Sequence, residues 1–384
     1  MGHGSDHNTM KVLQVNKLYS PWIGGVETAV QEIAEGLNGA DGISVTNLVC
    51  QPKGGRRSDM ENGVRTWRAR SWGMKAGMPI SIDFFVLFRT LVKDADVVIL
   101  HHPFPLAFMA YRLFGRKRKV MVWYHSDIVR QKISKIPFIP SIQYTLKRAD
   151  HIIVSTNALI QSSAMLKGLA AKCTVIAFGV DTARFAANTE IRKEAEDIRT
   201  KYGTPLVLSV GRLVYYKGMS YLIRAMRDVP AKLLIVGSGP LGCELREEIR
   251  ALGLTERVHI IDPVENLIPY YHACDVFALP SCEPAETFGV VQIEALACGK
   301  PVINTNLASG VPEVSIDGVT GRTVPPGDAA GIANALCDLL SDEAEYRRLS
   351  GNALREVEER FTKRVFISTV RRIMLSMMPR TATF

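Results

Sequence analysis

The sequence predicts an α/β protein of two doubly wound parallel-sheet domains in series, and three observations carry that prediction. Apolar runs of strand length alternate with helix-periodic stretches, once before residue 184 and again after it. Glycine-rich turns follow several of the strand-like runs. At 384 residues the chain is long enough for two ordinary domains, each with its own core. In chain order, 11–15 reads as a buried strand, Gly24-Gly25 punctuates, and 26–37 is helix-periodic with Ala29, Val30, Ile33 and Leu37 apolar. Strands at 44–50, 97–100, 120–124 and 151–155 continue the first domain. The charged stretch 189–202 is expected as a helix in or beside the linker. A second series follows, with strands at 206–210, 233–236, 258–261, 276–279 and 301–304. Residues 344–377 read as helix and end in an amphipathic run. The expected boundaries are 10–184 and 185–361, with a C-terminal helix of about 362–384 packing back on the first domain.

Composition narrows the class. An apolar fraction of 47% and a charged fraction of 22% are those of a soluble globular protein. No apolar run approaches the roughly 20 residues of a spanning helix. Residues 1–9 (MGHGSDHNT) are polar, lack the apolar core of a signal peptide, and read as an expression leader before a start near Met10. Seven cysteines without C-x-x-C spacing argue for a reducing, cytoplasmic compartment and against a zinc site. Charge is unevenly placed: residues 1–184 carry 24 Lys+Arg against 13 Asp+Glu, and residues 185–384 carry 23 against 25. The positive first half predicts an anionic partner there. Its densest patch is Arg116, Lys117, Arg118 and Lys119. A nucleic-acid partner is not expected, because no reading motif accompanies the charge.

Seven segments are candidates to carry chemistry. Glu286 and Glu294 lie eight residues apart, so they would not share a face of one helix. The easier geometry puts Glu286 in a loop, Gly289 at a helix start and Glu294 on its first turns, with free amides near Gly289 facing an anion. A phosphate flanked by two carboxylates that accept hydroxyl hydrogen bonds describes a sugar-nucleotide site. Gly24-Gly25 sits between a strand and a helix, where a backbone can approach phosphate closely. His125 follows an apolar strand and precedes Ser126 and Asp127, at the strand end that borders the cleft of an open sheet. His101-His102 also ends a strand, and without a ligand partner at metal spacing it reads as cleft wall. Arg212 and Lys217, on the loop bounded by Gly211 and Gly218, can converge on a diphosphate and stabilise its charge as it leaves, without a metal. Gly237-Ser238-Gly239-Pro240-Leu241-Gly242, with Asp262 twenty residues beyond, matches a dinucleotide fingerprint. It supports a runner-up reading as an NAD-dependent oxidoreductase or epimerase, against which Pro240 limits the turn and the charged residues lack a role. Asp94 and Asp96 match a D-x-D metal pattern but sit before a strand among ordinary helix-end residues. Taken singly, each segment also reads as ordinary: a solvated turn, a structural histidine, a plain helix start.

Together, and in this order, these segments resemble the retaining glycosyltransferases of family 4. The resemblance rests on Gly24-Gly25-Val26-Glu27, Tyr124-His125-Ser126-Asp127, Gly211-Arg212 with Lys217-Gly218, Gly237-Ser238-Gly239-Pro240, Pro280-Ser281 leading to Glu286 and Glu294, Ala297-Cys298-Gly299-Lys300-Pro301, and Gly310-Val311-Pro312-Glu313. It spans Lys11 to about Phe361. The resemblance implies the GT-B fold, two Rossmann-like domains facing across a deep cleft, with the donor held by the second. It implies that Arg212 and Lys217 neutralise the donor diphosphate, Glu294 binds ribose, and Glu286 holds the donor sugar. It also implies that amides at Phe288, Gly289 and Val290 contact sugar and phosphate, and that His125 lies near the anomeric centre. Gly24, Gly25, Gly211, Gly237, Gly239, Pro240 and Val264 would line the donor site. A nucleotide-sugar serves as co-substrate, with no other cofactor and no metal. The stretch 124–132 looks most like bacterial polysaccharide mannosyltransferases using GDP-mannose, with UDP-sugars left open. The acceptor is expected to be a saccharide or a lipid-pyrophosphate conjugate. Peripheral attachment to the inner face of an anionic membrane would run through Arg116–Lys119 and the run 84–89.

Overall fold

The runs Val97–His102 (VVILHH) and Leu206–Val210 (LVLSV) are buried along their whole length, as parallel strands covered on both faces must be. The computed structural model describes residues 9–21, 25–75, 77–127 and 136–377. The chain divides into two units, Met1–Ala177 with Phe366–Phe384, and Phe178–Val365.

The first unit contains β1 (Met10–Val15), β2 (Ile43–Cys50), β3 (Arg57–Glu61), β4 (Val64–Ala69), β5 (Met74–Lys75), β6 (Met78–Pro79), β7 (Val97–His102), β8 (Lys119–Tyr124), β9 (His151–Val154) and β10 (Cys173–Val175). Its main sheet runs β10-β9-β8-β7-β1-β2-β4-β3. All neighbours are parallel except β3 and β4, a hairpin that the sequence reading did not anticipate. Strand order reverses at β1, between β2 and β7. Leu13, Val15, Val98, Leu100, Val120, Val122 and the helix side chains Phe84, Phe88 and Phe108 form one core cluster.

The second unit contains β11 (Leu206–Val210), β12 (Lys232–Val236), β13 (Val258–Ile261), β14 (Val276–Ala278), β15 (Val302–Thr305) and β16 (Gly321–Val324). They form one parallel sheet in the order β13-β12-β11-β14-β15-β16. Here the reversal falls between β11 and β14, and loops at the C-terminal ends of those two strands are where an open α/β sheet places its ligand.

Two expectations need correction. The units part at 177/178, ahead of the expected 184. Residues just beyond belong to the second unit, where Val180 N–H donates to Phe361 O at 2.7 Å and Lys363 N–H donates to Val180 O at 2.9 Å. The C-terminal stretch is not one helix either. Helix Glu343–Glu356 runs into a wider turn at Val357–Phe361, Thr362 is extended, and helix Lys363–Ser376 follows. From Phe366 onward the chain belongs to the first unit, with Phe366 packed 5.7 Å from the Trp123 ring. Residues 378–384 lie outside the described residues.

Candidate active site

The reversal point of the second unit is built from two loops laced together. After β11 the chain passes through Gly211 to Gly218, and after β14 it passes through Pro280 to Gly289. Cys282 N–H donates to Tyr216 O at 2.8 Å, and the Thr305 hydroxyl donates to Ser281 O at 2.6 Å. A third loop, after β12, backs the first: Gly211 N–H donates to Val236 O at 3.0 Å and Leu213 N–H to Ser238 O at 2.9 Å. Glycine is required at 237 because an added Cβ would stand 2.0 Å from Gly211 O. The fingerprint glycines therefore serve loop-to-loop packing. Moreover, β12 is one strand away from the reversal point, so this loop does not sit where a dinucleotide fold places its pyrophosphate. Pro240 is exposed in the same loop, and Val264 is half-buried after β13.

Four charged side chains come from these loops and the helix that follows. Arg212 is exposed, with no ion-pair partner among the described residues. Lys217 Nζ and the Glu286 carboxylate form an ion pair, with side chains 12% and 11% exposed. The Ser281 hydroxyl also donates to Glu286, at 3.2 Å. Thus the two groups expected to act separately, on phosphate and on sugar, neutralise each other in this structure. Gly289 at φ 72° leads into helix Val290–Ala297, which carries Glu294. The amides of Phe288, Gly289 and Val290 have no backbone acceptor among the described residues, as at any helix start. Phe288 is buried 5.3 Å from the Phe178 ring, and Val290 is exposed.

Glu294 has a partner that the sequence reading missed. The fully buried Tyr271 donates its hydroxyl to Glu294 at 2.6 Å. Burial raises the Glu294 pKa above its ordinary value, while the Tyr271 hydrogen bond and the charge of Arg184 oppose that shift. Behind the same helix, buried Gln292 accepts from Asn304 at 2.9 Å, and Asn304 accepts from Thr323 at 2.7 Å. That chain of amides pins the helix to β15 and β16.

The first unit presents a different arrangement. His125 follows β8 and is buried, stacked 5.3 Å from the His101 ring and 6.1 Å from Trp123. His101 Nδ1 and His125 Nε2 are 3.0 Å apart. Either ring can donate the proton shared between these two nitrogens. Burial pushes His101 down to about 3 and holds His125 well below the usual range, with the neighbouring His101 and His102 adding to the latter. Both rings are neutral hydrogen-bonding groups. Beside them, Asp127 accepts from Tyr124 and from Ser163, the latter at 2.8 Å. Gly25 opens helix Gly25–Leu37, whereas Gly24 and residues 128–132 lie outside the described residues.

The remaining candidates divide. Asp96 accepts from the Lys11 N–H at 2.8 Å, which gives that carboxylate a structural task. No cluster of three His, Cys, Asp or Glu is arranged for a metal among the described residues. Within the basic patch, Arg116 and Lys117 are exposed, but Arg118 donates to Lys93 O and Lys119 to Met377 O. Both carbonyls follow helix ends, where a cation is favoured. Within the run 84–89, Phe84, Leu87 and Phe88 are buried in the core of the unit, whereas Val86 and Arg89 are exposed.

Residues 23–184 match the family described as Glycosyltransferase Family 4, and residues 190–356 match Glycosyl transferases group 1. D-rhamnosyltransferase WbpZ of Pseudomonas aeruginosa is 30% identical over 356 residues, 92% of each chain. O-antigen chain mannosyltransferase C of Escherichia coli is 28% identical, over 92% of this chain and 95% of its own. Among solved structures, HepE of Anabaena in complex with UDP shares the fold with a TM-score of 0.76 at 21% identity, covering 96% of this chain and 100% of that one. Sucrose-phosphate synthase from Thermosynechococcus elongatus does so with a TM-score of 0.74 at 22% identity, covering 96% and 99%. With two parallel-sheet units and both halves matched, the chain belongs to the family 4 glycosyltransferases of bacterial polysaccharide synthesis and has the GT-B fold.

Proposed function

We propose that the chain is a retaining, metal-independent hexosyltransferase that moves mannose from GDP-mannose to a saccharide or lipid-pyrophosphate-linked acceptor. The observation that carries this reading is the set of charges at the β11/β14 reversal point: Arg212 and Lys217 on one loop, Glu286 on the other, and Glu294 on the helix behind it. In this reading the second unit takes the donor. Glu294, oriented by Tyr271, accepts hydrogen bonds from ribose. Gly211, Gly237, Gly239, Pro240 and Val264 line the nucleotide. Lys217 leaves Glu286 for the diphosphate, which frees the carboxylate to hold the sugar hydroxyls beside the amides of Phe288, Gly289 and Val290. The first unit takes the acceptor, with Gly24 and Gly25 close to phosphate and His125 close to the anomeric carbon.

The bond from the anomeric carbon to the diphosphate breaks, and the acceptor oxygen bonds to the same face of that carbon. The acceptor proton passes to the departing phosphate oxygen. Stabilising the leaving charge is then the main catalytic task of Arg212 and Lys217. Mannose is favoured by the resemblance of residues 124–132 and by the name of the Escherichia coli relative. The chain would work at the cytoplasmic face of the membrane as a peripheral protein; no helix among the described residues is long and apolar enough to cross it. A thermal-shift panel of GDP, UDP, dTDP and NAD tests the reading. At a hundred times its Kd, the bound nucleotide should stabilise the protein by about 2.7 kcal/mol. GDP is the expected ligand; a response to UDP replaces the donor, and a response to NAD alone overturns the reading.

A further inference from the structure

An exposed apolar strip follows the outer side of helix Asp83–Leu91 in the first unit. Of the thirteen large apolar side chains exposed among the described residues, seven fall between residues 72 and 114. The helix turns Phe84, Leu87 and Phe88 inward, and its opposite side carries Ile82, Val86 and Arg89 at offsets of four and three residues. At the N-terminal end stand Trp72 and Ile80, joined by a 3.0 Å backbone hydrogen bond. Asp83 fastens that end by accepting from Arg70 N–H at 2.9 Å and from Arg56 Nε at 3.0 Å. At the other end stand Leu113 and Phe114. Each end places an arginine over an aromatic face, Arg70 at 5.8 Å from the Trp72 ring and Arg89 at 5.9 Å from the Phe114 ring. The six apolar side chains are between 39% and 68% exposed, although core positions lie within a turn of several of them. The nine-residue helix alone is about 13 Å long, so the strip exceeds the scatter of single apolar residues found on any surface.

Charge indicates what covers it. Residues 80–124 hold seven Lys+Arg against three acids, Asp83, Asp94 and Asp96, the first of which is paired with Arg56. Arg89, Lys93, Arg112, Arg116 and Lys117 among them are exposed. Aliphatic and aromatic side chains flanked by arginines, with cations outnumbering acids, match the boundary between acyl chains and anionic head groups. We propose that Trp72, Ile80, Ile82, Val86, Leu113 and Phe114, with Arg70 and Arg89, form the surface by which this chain lies on an anionic lipid bilayer. The proposal names the surface for the membrane partner given above and rests on that reading.

Co-sedimentation of the full chain with phosphatidylcholine vesicles, plain or doped with phosphatidylglycerol, tests it. The wild type is expected to bind the doped vesicles only, and salt should release it. Val86→Asp with Leu113→Asp should lower partitioning at least ~10-fold, because both side chains would enter the interface. Arg116→Ala with Lys117→Ala should lower it by a smaller factor. Unchanged thermal unfolding would establish that the variants fold, and Val86→Ser with Leu113→Ser replaces the first pair if its folding is impaired. If the Asp and Ser variants bind as well as wild type, the surface is wrong although the membrane partner stands. If the wild type ignores anionic vesicles, both fall. If the variants instead turn a dimer into a monomer without affecting vesicles, the strip joins two copies and the proposal is overturned.

Discussion

The two units have related parallel sheets, yet the side chains at their strand ends obey opposite electrostatic rules. In the second unit the loops after β11 and β14 carry formal charges: Arg212 open to solvent, Lys217 paired with Glu286, and Glu294 held by Tyr271. In the first unit the ends of β7 and β8 carry neutral rings, His101 and His125, stacked with Trp123 and buried. One scaffold therefore supplies a place that holds formal charges and a place that offers uncharged hydrogen bonds. The difference is local. The glycine-bounded loop leaves Arg212 in water and sets Lys217 against a carboxylate, while burial beside a stacked indole makes the charged form of an imidazole too costly.

The largest expected effects test the charged side. Arg212→Ala and Lys217→Ala should each lower turnover ~100-fold, the scale of a lost transition-state stabiliser. They should differ in stability. Arg212 is exposed with no ion pair among the described residues, so its loss should shift unfolding by less than about 0.5 kcal/mol. Removing Lys217 leaves Glu286 mostly buried beside only the Ser281 hydroxyl, and should cost about 1–3 kcal/mol. Steady-state rates with the donor selected by the nucleotide panel, and urea unfolding of each variant, provide the check. Near-wild-type turnover in either variant would sink the assigned roles; equal unfolding of both would sink the contrast between a free and a paired cation.

The neutral side makes a prediction in pH. In the unfolded chain His101 and His125 titrate near 6.5, and in the folded chain both lie well below it. Below pH 6.5 the unfolded state binds more protons, so stability falls as pH falls. Each ring contributes a slope approaching about 1.4 kcal/mol per pH unit. The loss begins near 6.5 and continues towards about 3 for His101. His101→Gln should remove one ring's share of that slope while sparing stability at pH 8 far more. Unfolding midpoints from pH 8 to pH 4 measure it. If the slope is the same with and without His101, the ring is not buried as a neutral group.

Much of this contrast was legible in the sequence, and the missing parts share a cause. Apolar runs marked the strands, and glycines bounding Arg212 and Lys217 marked the charged loop after β11, because both signals are local. Asn62-Gly63 between residues 57–61 and 64–69 was also local, an Asn-Gly turn with both residues at positive φ, and it went unread because the flanking strands are largely polar. The break at Thr362 fell where the second domain was expected to end, but the pairing with Val180 that fixes the extended residue, far away in the chain, went unread. Tyr271 as the partner of Glu294, and His101 as the partner of His125, went unread for the same reason. His101 meets His125 because parallel pairing sets His101 beside Trp123, and Tyr271 meets Glu294 through packing of two helices' ends around β14. Neither partner can be inferred from spacing along one chain.

The smallest expected effect concerns Tyr271 and refines the charged side. Its hydroxyl both orients the Glu294 carboxylate and opposes the upward pull of burial on the Glu294 pKa. Tyr271→Phe keeps the ring and removes only that donor. Losing that hydrogen bond should weaken nucleotide binding by about three- to tenfold near neutral pH, less than the loss of a direct bond to a charged group, because Tyr271 acts only through Glu294. The carboxylate, already above its ordinary 4.5, should rise further. Ribose binding needs the ionised acceptor, so it is retained above the folded-state pKa and lost as pH falls through it. The acid limb of nucleotide affinity should therefore lie at higher pH in Tyr271→Phe than in wild type, and titration of the nucleotide Kd between pH 4 and pH 8 reads it directly. A uniform loss of affinity without movement of that limb would mean that Tyr271 only packs beneath the helix; a shifted limb would tie it to the protonation of Glu294.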